Sequence, residues 1–414
     1  LRKRAAGHGR DMLWPAVARR YVESFERARN EHAARLHTVF RAKTLAKRPA
    51  ELPEINLEHL SLMTDQTGML QHALFSVPRY EDGYCLDDNA RALLLTVLLE
   101  DQGSDDGKAV RALASRYLAF MSHAFDREAG RFRNFMSYSR RWVEACGSED
   151  SHGRALWALG TVVGRSADPG RQSLGGQLFH AALPAVSAFT SPRAWAFALL
   201  GIDEYLRAFE GDSNVQSVRK ELAQRLLELF RKVSTYEWPW FEDRVTYCSA
   251  RLSQALIASA AWMGNEEMRT AGLRSLEWLT EIQCSEDGYF APIGSNGFYE
   301  RGGPRASFDQ QPVEACAMVS ACLEAQRVTG DGRWAIRANR AFSWFLGQNH
   351  LQQSLYDATT GGCRDGLHAD RANENQGAES TLSFLLALLE MRSADRAGAE
   401  SEPRRSGAAP RSNA

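Results

Sequence analysis

Residues 87–99 read DDNARALLLTVLL, a doubled acid that runs directly into an Ala- and Leu-rich helical segment. Five later stretches start in the same way, with a polar or charged cluster followed by a helical run. They are EDSHGRALWALG from Glu149, SPRAWAFALLGI from Ser191, YCSARLSQALIA from Tyr247, QQPVEACAMVSA from Gln310 and NQGAESTLSFLLALL from Asn375. This internal repeat predicts one supersecondary unit that recurs along the chain.

One column of the aligned repeat carries four arginines and two glutamates. They are Arg91, Arg154, Arg193, Arg251, Glu314 and Glu379. Successive members are 63, 39, 58, 63 and 65 residues apart, a length that fits one helical hairpin with its loop. Six hairpins that close into a ring would place six polar helix starts around one mouth.

Two kinds of helical segment alternate along the chain. The repeat-start segments are apolar on nearly all sides, which predicts burial, whereas the segments between them are amphipathic, which predicts an outer layer. The amphipathic segments include Ala109–Ala124, Val215–Val233, Glu267–Gln283 and Trp334–Asn349. An inner ring surrounded by an outer ring is an all-α (α/α)6 toroid, and this is the predicted fold class.

The predicted toroid occupies residues 51–392. Residues 1–50 are predicted to contain one extra helix, from Met12 to Lys47. Residues 393–414 have little apolar content and are predicted as a disordered tail. The chain opens on Leu1 and shows no signal peptide, so we expect it to be a piece of a longer protein.

Composition narrows the functional classes. The 414 residues are 44% hydrophobic and 24% charged, as in ordinary globular proteins. A net charge of -1 gives no electrostatic reason to expect nucleic acid or an anionic membrane as a partner. No apolar stretch at a repeat start is long enough to span a bilayer. Seven cysteines without CxxC spacing indicate a reducing compartment, so a cytoplasmic location is predicted.

Acidic side chains gather at the predicted mouth, and glycoside hydrolysis needs two carboxyl groups that flank a sugar bond. We take Asp88 as the first candidate catalytic residue, with Glu379, Glu314 and Asp150 as candidates for its partner. An aspartate at a helix start is also an ordinary N-cap, and a buried glutamate is also an ordinary partner of an arginine. One N-cap needs only one acidic residue, so the doubled acids at the helix starts favour a functional role.

Further side chains near the predicted mouth are candidates for substrate binding. They are Asp87, Arg91, Arg154, His152, Trp238, Trp240, Glu242, Tyr289, Asn375 and Gln376. The arginines have two open roles, because guanidinium groups either lock neighbouring hairpins through ion pairs or hold a phosphate or a sugar acid. Aromatic rings in loops are suited to cover the apolar face of a sugar.

Other chemistries have little support in the sequence. There is no HExxH, P-loop or GxSxG motif, and the ten histidines show no ligand spacing. We therefore predict neither a metal nor a cofactor. His152 is the one histidine that we place at the mouth, whereas a sugar epimerase is expected to need a pair of histidines there.

Four runs resemble one bacterial module. They are GYCLDDNARALL, GSEDSHGRALWALG, WPWFEDRVTYCSARLSQALI and GGCRDGLHADRANENQGAESTLSFLLAL. The module is the C-terminal six-hairpin toroid region attached to family 4 GT-B glycosyltransferases, which is also found alone. The resemblance covers about residues 52–391, and the run GRDMLWPAVARRYVESF resembles the last helix of a GT-B glycosyltransferase. It implies a carbohydrate setting, a fold shared with six-hairpin glycosidases, and a glycosyltransferase domain upstream.

The pair Asp87 and Asp88 also resembles the adjacent aspartates of some (α/α)6 mannanases, which implies an acid–base role for Asp88. The leading functional prediction is glycosidase-type cleavage of an oligosaccharide or polysaccharide. The second is a non-catalytic glycan-binding module that serves an attached glycosyltransferase. The third is a sugar epimerase or phosphorylase that uses the same toroid.

Overall fold

A computed structural model describes residues 52–103 and 107–401, with side chains to residue 397, and six helical positions near the N-terminus: Ala18, Tyr21, Val22, Glu23, Phe25 and Glu26. The chain divides into two units, Leu1–Leu52 and Pro53–Ala414. Apart from those six positions, the predicted helix from Met12 to Lys47 lies outside the described residues.

From residue 52 onward, the described residues form twelve α-helices. They are α1 (Glu58–Leu62), α2 (Leu86–Asp101), α3 (Gly107–Ala124), α4 (Glu149–Arg165), α5 (Pro169–Ala182), α6 (Pro192–Leu206), α7 (Ser213–Val233), α8 (Ala250–Met263), α9 (Glu266–Ile282), α10 (Pro312–Thr329), α11 (Arg333–Ser343) and α12 (Ala378–Ser401). The even-numbered helices begin at the six sequence repeats. Among the described helices, none is long and apolar enough to cross a lipid bilayer.

The even-numbered helices form a closed inner ring. Each packs against the next even-numbered helix, and α12 packs against α2. The odd-numbered helices from α3 onward pack outside the even-numbered helix that precedes them, and α1 packs on α12. Burial agrees with this layering, because twelve of the sixteen residues of α2 are buried but only seven of the 21 residues of α7. The predicted fold class, an all-α (α/α)6 toroid, is confirmed.

One helix and two helix boundaries differ from the sequence prediction. Helix α5 was not among the amphipathic segments singled out, because paired glycines and mixed polar residues hide its helical period. Helix α11 ends at Ser343 rather than Asn349, since the chain turns at Gly347 with a φ of 100°. Helix α12 runs to Ser401, beyond the predicted start of the tail at Ser393, because Ala, Arg and Glu are good helix formers.

The acids at the helix starts do not cap their own helices. The N-caps of α2 and α4 are Cys85 and Ser148, whose Sγ and Oγ atoms accept N–H bonds from Asp88 and Ser151. Asp88 and Asp150 therefore lie inside the first turn of their helices, and N-capping does not account for either of them.

Helices α4 and α6 approach each other backbone to backbone. A Cβ atom added at Gly160 would lie 1.9 Å from the carbonyl oxygen of Gly201, and one added at Gly201 would lie 2.4 Å from that of Leu156. Farther along the same seam, a Cβ atom at Gly153 would lie 2.7 Å from the carbonyl oxygen of Ala194. Residues without a side chain are required at these contacts, which explains the glycines of the second and third repeats.

Short antiparallel strand pairs brace the loops. The strands are β1 (Ala73–Leu74), β2 (Val77–Pro78), β3 (Tyr84–Cys85), β4 (Phe125–Asp126), β5 (Arg131–Phe132), β6 (Phe135–Met136), β7 (Arg244–Val245), β8 (Tyr299–Glu300), β9 (Tyr356–Asp357), β10 (Gly362–Cys363), β11 (Gly366–Leu367) and β12 (Ala372–Asn373). The pairs β3–β6 and β7–β8 each join the loop before one inner helix to the loop before the next. The loops at the mouth thus support one another across the hairpins.

Candidate active site at the mouth of the ring

The polar column of the repeat lies along the seams between inner helices. Arg91 of α2 donates an Nη2–H bond of 2.5 Å to Oε2 of Glu379 on α12. Arg154 of α4 donates an Nε–H bond of 2.9 Å to Oδ1 of Asp87 on α2. These two ion pairs join the last inner helix to the first, and the first to the second.

The other two arginines of the column have different partners. Arg193 of α6 lies with Nη1 2.9 Å from Oε2 of Glu242 and donates an Nε–H bond of 2.7 Å to the carbonyl oxygen of Tyr247. Arg251 of α8 lies with Nη2 3.5 Å from Sγ of Cys316 on α10, and no carboxylate within the described ranges forms an ion pair with it. Hairpin locking by ion pairs, one of the two open roles, is therefore seen for three of the four arginines.

Two glutamates of the inner helices bind the starts of neighbouring helices. Glu314 of α10 accepts the N–H of Cys248 with Oε1 at 2.6 Å, directly before α8. Glu149 of α4 accepts the N–H groups of Thr190 and Ser191 with Oε2 at 2.8 and 2.7 Å, directly before α6. A carboxylate favours such N–H groups because they carry the positive end of the helix dipole. Each glutamate therefore caps a helix of a neighbouring hairpin: Glu149 that of the following one and Glu314 that of the preceding one.

The seam between α10 and α12, the last of the six, also carries polar bonds. Ser320 donates its hydroxyl to Oε1 of Glu390 at 2.8 Å, and Gln310 and Leu367 exchange two backbone hydrogen bonds of 2.9 Å. Every seam of the ring therefore carries at least one polar bond between neighbouring hairpins. These bonds account for the polar column that recurs in the sequence.

A small cavity lies among the inner helices, next to side chains of these seams. Its volume is about 20 Å³, and its lining includes Arg91, Arg154, Trp157, Cys248, Arg251 and Leu386. Such a volume holds about one water molecule. At the mouth, the side chain of Glu379 is 47% exposed.

Arg91 holds two carboxyl groups in different environments. Its Nη1–H bonds Oδ1 of Asp88 at 3.0 Å, while its Nη2–H bonds Glu379. Asp88 is only 5% exposed, and its Oδ2 accepts the S–H of Cys85 at 3.0 Å. Burial raises the pKa of Asp88 to about 6, against the lowering effect of the Arg91 charge. The guanidinium group of Arg91 therefore contacts two acids. Asp88 is buried and retains its proton in mild acid, whereas Glu379 is exposed at the mouth.

The two remaining catalytic candidates also have raised pKa values. Burial raises the pKa of Glu314 to about 7, although the N–H groups of Cys248 and Ser249 favour its charged form. Burial likewise raises the pKa of Asp150, which accepts the hydroxyl of Ser191 at 2.5 Å. Glu314 and Asp150 thus belong, with Asp88, to the acids whose surroundings favour the protonated form.

We expect Glu314→Gln to raise the free energy of unfolding by about 3 kcal/mol at pH 8 and to leave it nearly unchanged at pH 4. The folded pKa of about 7 lies above the ordinary value of 4.5, so the folded chain binds this proton more tightly than the unfolded chain. Wild-type stability is therefore lost as pH rises through this window. Glutamine retains an oxygen for the Cys248 N–H without a buried charge.

Urea denaturation of both proteins at the two pH values measures this difference. The control is Glu314→Ala, which removes the acceptor and is expected to lower the free energy of unfolding at both pH values. A Glu314→Gln variant that changes stability equally at pH 4 and pH 8 would contradict the assignment of the raised pKa to Glu314.

Our placement of His152 at the mouth is wrong. The side chain is fully buried, and its Nε2 lies 3.0 Å from the carbonyl oxygen of Ala182. The rings of Phe132 and Phe189 pack edge-on against it, each with its centroid 5.2 Å away. Burial lowers the pKa of His152 to about 4. The helical position turns this side chain toward the outer layer, where it has a packing role.

The tryptophans that we expected to be open to a ligand are buried. Trp238 and Trp240 are 4% and 0% exposed, and both rings pack against Trp278 of α9. The Nε1–H of Trp238 bonds the carbonyl oxygen of Glu242 at 2.8 Å. The loop collapses onto α9 because large rings gain more from burial than from exposure. Tyr289, in the loop after α9, is half-buried.

The two amides before α12 hold loops in place. Gln376 is buried, accepts the hydroxyl of Thr360 at 2.7 Å and donates to Oδ2 of Asp357 at 3.1 Å. Asn375 accepts the N–H of Phe75 with Oδ1 at 2.9 Å. Their side-chain hydrogen bonds connect loop to loop, so a direct contact with substrate is not evident for either amide.

A histidine–aspartate pair lies on the mouth loops and was not singled out in the sequence. Nδ1 of His368 lies 2.6 Å from Oδ1 of Asp309, and the two side chains are 30% and 44% exposed. With its Nδ1 proton bound to Asp309, the imidazole presents Nε2 as a proton acceptor. The two residues are 59 positions apart in the chain, so the fold alone reveals the pairing.

Comparison with solved structures identifies relatives of the fold. The chain is similar to a cellobiose 2-epimerase from Bacillus thermoamylovorans B4167, with a TM-score of 0.65 and 11% identity over 81% of this chain and 95% of that one. It is similar to a D-mannose isomerase, with a TM-score of 0.61 and 11% identity over 81% and 95%.

A third similar structure is a GH76 alpha-mannanase from Bacteroides thetaiotaomicron. Its TM-score is 0.54, with 9% identity over 76% of this chain and 88% of that one. No protein-family model and no curated protein sequence matches the chain. At these low identities, the likeness shows that the chain shares the six-hairpin toroid fold of these three proteins.

Proposed function

We propose that the chain is a carbohydrate-processing enzyme that cleaves glycosidic bonds with paired carboxyl groups at the mouth of the ring. The observation that carries this proposal is the position of Asp88 and Glu379 on the two terminal nitrogens of Arg91. Glycosidic cleavage uses one carboxyl group that keeps its proton and one that is ionised. The names of the three similar structures support a carbohydrate substrate.

The two groups differ in the way that the reaction requires. Asp88 has a pKa raised to about 6 and serves as the proton donor to the leaving oxygen. Glu379 is nearly half exposed and serves as the carboxylate that activates water or attacks the anomeric carbon. Arg91 lies between them and donates a hydrogen bond to each. Because Asp88 lies under Arg91, we expect access to it to open from the Glu379 side.

The test is a panel of oligosaccharides and polysaccharides, assayed for released reducing sugar with and without inorganic phosphate. Asp88→Asn is expected to lower kcat on the cleaved glycan by a factor of about 100 or more, as general-acid catalysis contributes that much. Asp150→Asn is expected to have a smaller effect, because Asp150 bonds Ser191 rather than Arg91. Products that form only when phosphate is present would show that the enzyme cleaves by phosphorolysis rather than by hydrolysis.

A second candidate function, epimerisation or isomerisation of a free sugar, is favoured by the pair of His368 and Asp309. A polarised imidazole at the mouth is suited to remove a proton beside a carbonyl group. The test is incubation of reducing sugars in D2O, followed by NMR. Deuterium incorporation at C2 that is lost in His368→Asn would favour this candidate over cleavage, whereas no incorporation would remove it.

We further propose, from the sequence runs that resemble the toroid module of family 4 glycosyltransferases, that the domain works beside such an enzyme. A non-catalytic version of this role predicts glycan binding without turnover. Calorimetric titration with the same glycan panel distinguishes the catalytic role from the non-catalytic one. Binding without any product would favour an accessory module over an enzyme.

A further inference from the structure

Exposed apolar side chains gather in two loops at the mouth. We call this set the apolar rim. It consists of Leu74, Phe75, Val77, Tyr80, Phe135 and Tyr138, whose exposed fractions run from 43% to 65%. The first four belong to the loop before α2, and the other two belong to the loop before α4. Contiguous exposed apolar side chains on a globular protein mark a binding surface.

The two loops form one surface. Strand β3, next to the first loop, pairs with β6, which contains Phe135. The rings of Tyr80 and Tyr138 stack with centroids 4.6 Å apart and planes 10° apart. Tyr138 also stacks on the buried Tyr84, with centroids 6.3 Å apart. The exposed rings are therefore fixed in place by the loops and by the core beneath them.

Phe75 is held in a backbone conformation that costs free energy. Its φ is 53°, in the left-handed region that bulky residues avoid. Its N–H bonds Oδ1 of Asn375, and its carbonyl oxygen accepts the N–H of Gln376, both at 2.9 Å. Asn375 and Gln376 lead directly into the first turn of α12, which carries Glu379. The ring of Phe75 is thus presented to solvent on a loop bonded to the segment that leads into α12.

The charge of the two loops favours an uncharged ligand. Residues 71–83 and 135–144 contain three arginines, which are balanced by three acids: Arg79, Arg140 and Arg141 against Glu81, Asp82 and Glu144. A patch without net charge has no electrostatic attraction for an anionic membrane or a nucleic acid. Aromatic faces beside a carboxyl site instead fit the apolar faces of sugar rings.

We propose that the apolar rim is a saccharide-binding platform, which holds sugar units of a neutral oligosaccharide beyond the unit that reacts at Glu379. This inference rests on the proposed function and adds to it an extended, uncharged glycan as the substrate class. Phe75 and Tyr138 are the residues that contact these outer units. The platform therefore sets a preference for chain length and leaves the chemical step to other residues.

The experiment compares short and long oligosaccharides from the neutral glycan that wild-type protein binds best, with wild type, Phe75→Ala and the double variant Phe75→Ala, Tyr138→Ala. We expect the affinity for the longer chain to fall about tenfold in the double variant, while binding of the disaccharide is unchanged. The control is Phe209→Ala, an exposed phenylalanine just beyond the C-terminal end of α6, on the side opposite the mouth. It is expected to leave both affinities unchanged.

The outcomes separate this inference from the proposed function. Turnover of the glycan with no effect of the double variant would overturn the platform and leave the enzyme proposal standing. Glycan binding that falls in the variant without any turnover would support the platform and sink the enzyme. Binding of wild type to phosphatidylglycerol vesicles but to no glycan, lost in Phe75→Ala, would overturn both.

Discussion

Arg91→Ala is expected to lower the free energy of unfolding by about 4 kcal/mol, because it leaves a buried carboxyl group without its partner. Arg91 is itself buried and binds Asp88 and Glu379 on its two terminal nitrogens. Its loss also removes the ion pair between α12 and α2, where the ring closes. Urea denaturation at pH 7 measures the change.

Two further variants show whether the effect comes from the unpaired acids. Arg79→Ala breaks an exposed pair with Glu81 and is expected to change the free energy of unfolding far less, because water screens the pair. The triple variant Arg91→Leu, Asp88→Asn, Glu379→Gln removes all three charges and should recover much of the lost stability. An Arg91→Ala protein as stable as wild type would refute the assignment of Arg91 to ring closure.

Gly160→Ala is expected to lower the free energy of unfolding by about 3 kcal/mol or to prevent folding, as overpacking does in close-packed cores. The added methyl group would lie 1.9 Å from the carbonyl oxygen of Gly201, a backbone atom that cannot rotate away. Helices α4 and α6 would have to separate, which strains both seams that they share with their neighbours. Thermal unfolding followed by circular dichroism measures the loss.

The matched control is Gly176→Ala in the outer helix α5. A Cβ atom there meets nothing closer than Cγ2 of Val163 at 3.8 Å. Alanine is a better helix former than glycine, so this variant should gain about 0.5–1 kcal/mol. Equal behaviour of the two glycine variants would show that α4 and α6 are not in backbone contact.

The repeat predicted the ring because its signal is periodic and local. A polar cluster followed by an apolar helix marks each inner helix start, and six such starts with hairpin spacing fit a closed ring of six hairpins. The sequence did not show α5, whose glycines hide the helical period, nor the backbone contact of Gly160 with Gly201. Contacts of that kind depend on how two helices cross, which no local pattern records.

The site was predicted less well, because it depends on which partners the fold brings together. Asp88 and Glu379 were both singled out, yet they meet on Arg91 only through its contact with Glu379, which lies 288 positions later in the chain. His152 was selected because it lies near a helix start, and Trp240 because it lies in a loop. Both side chains are fully buried and pack in the interior. His368 and Asp309 come together only because the loops before α10 and α12 pair through Gln310 and Leu367.

The measurement that tests the central claim most directly is turnover of the glycan panel by Glu379→Gln beside wild type. We expect wild type to release sugar from at least one glycan, and the variant to lose turnover by a factor of about 1,000 while it still binds that glycan. The control Glu374→Gln alters an acid five residues earlier that pairs with Arg364, and should retain activity. Equal turnover by Glu379→Gln and wild type, or no turnover of any glycan by wild type, would contradict the account.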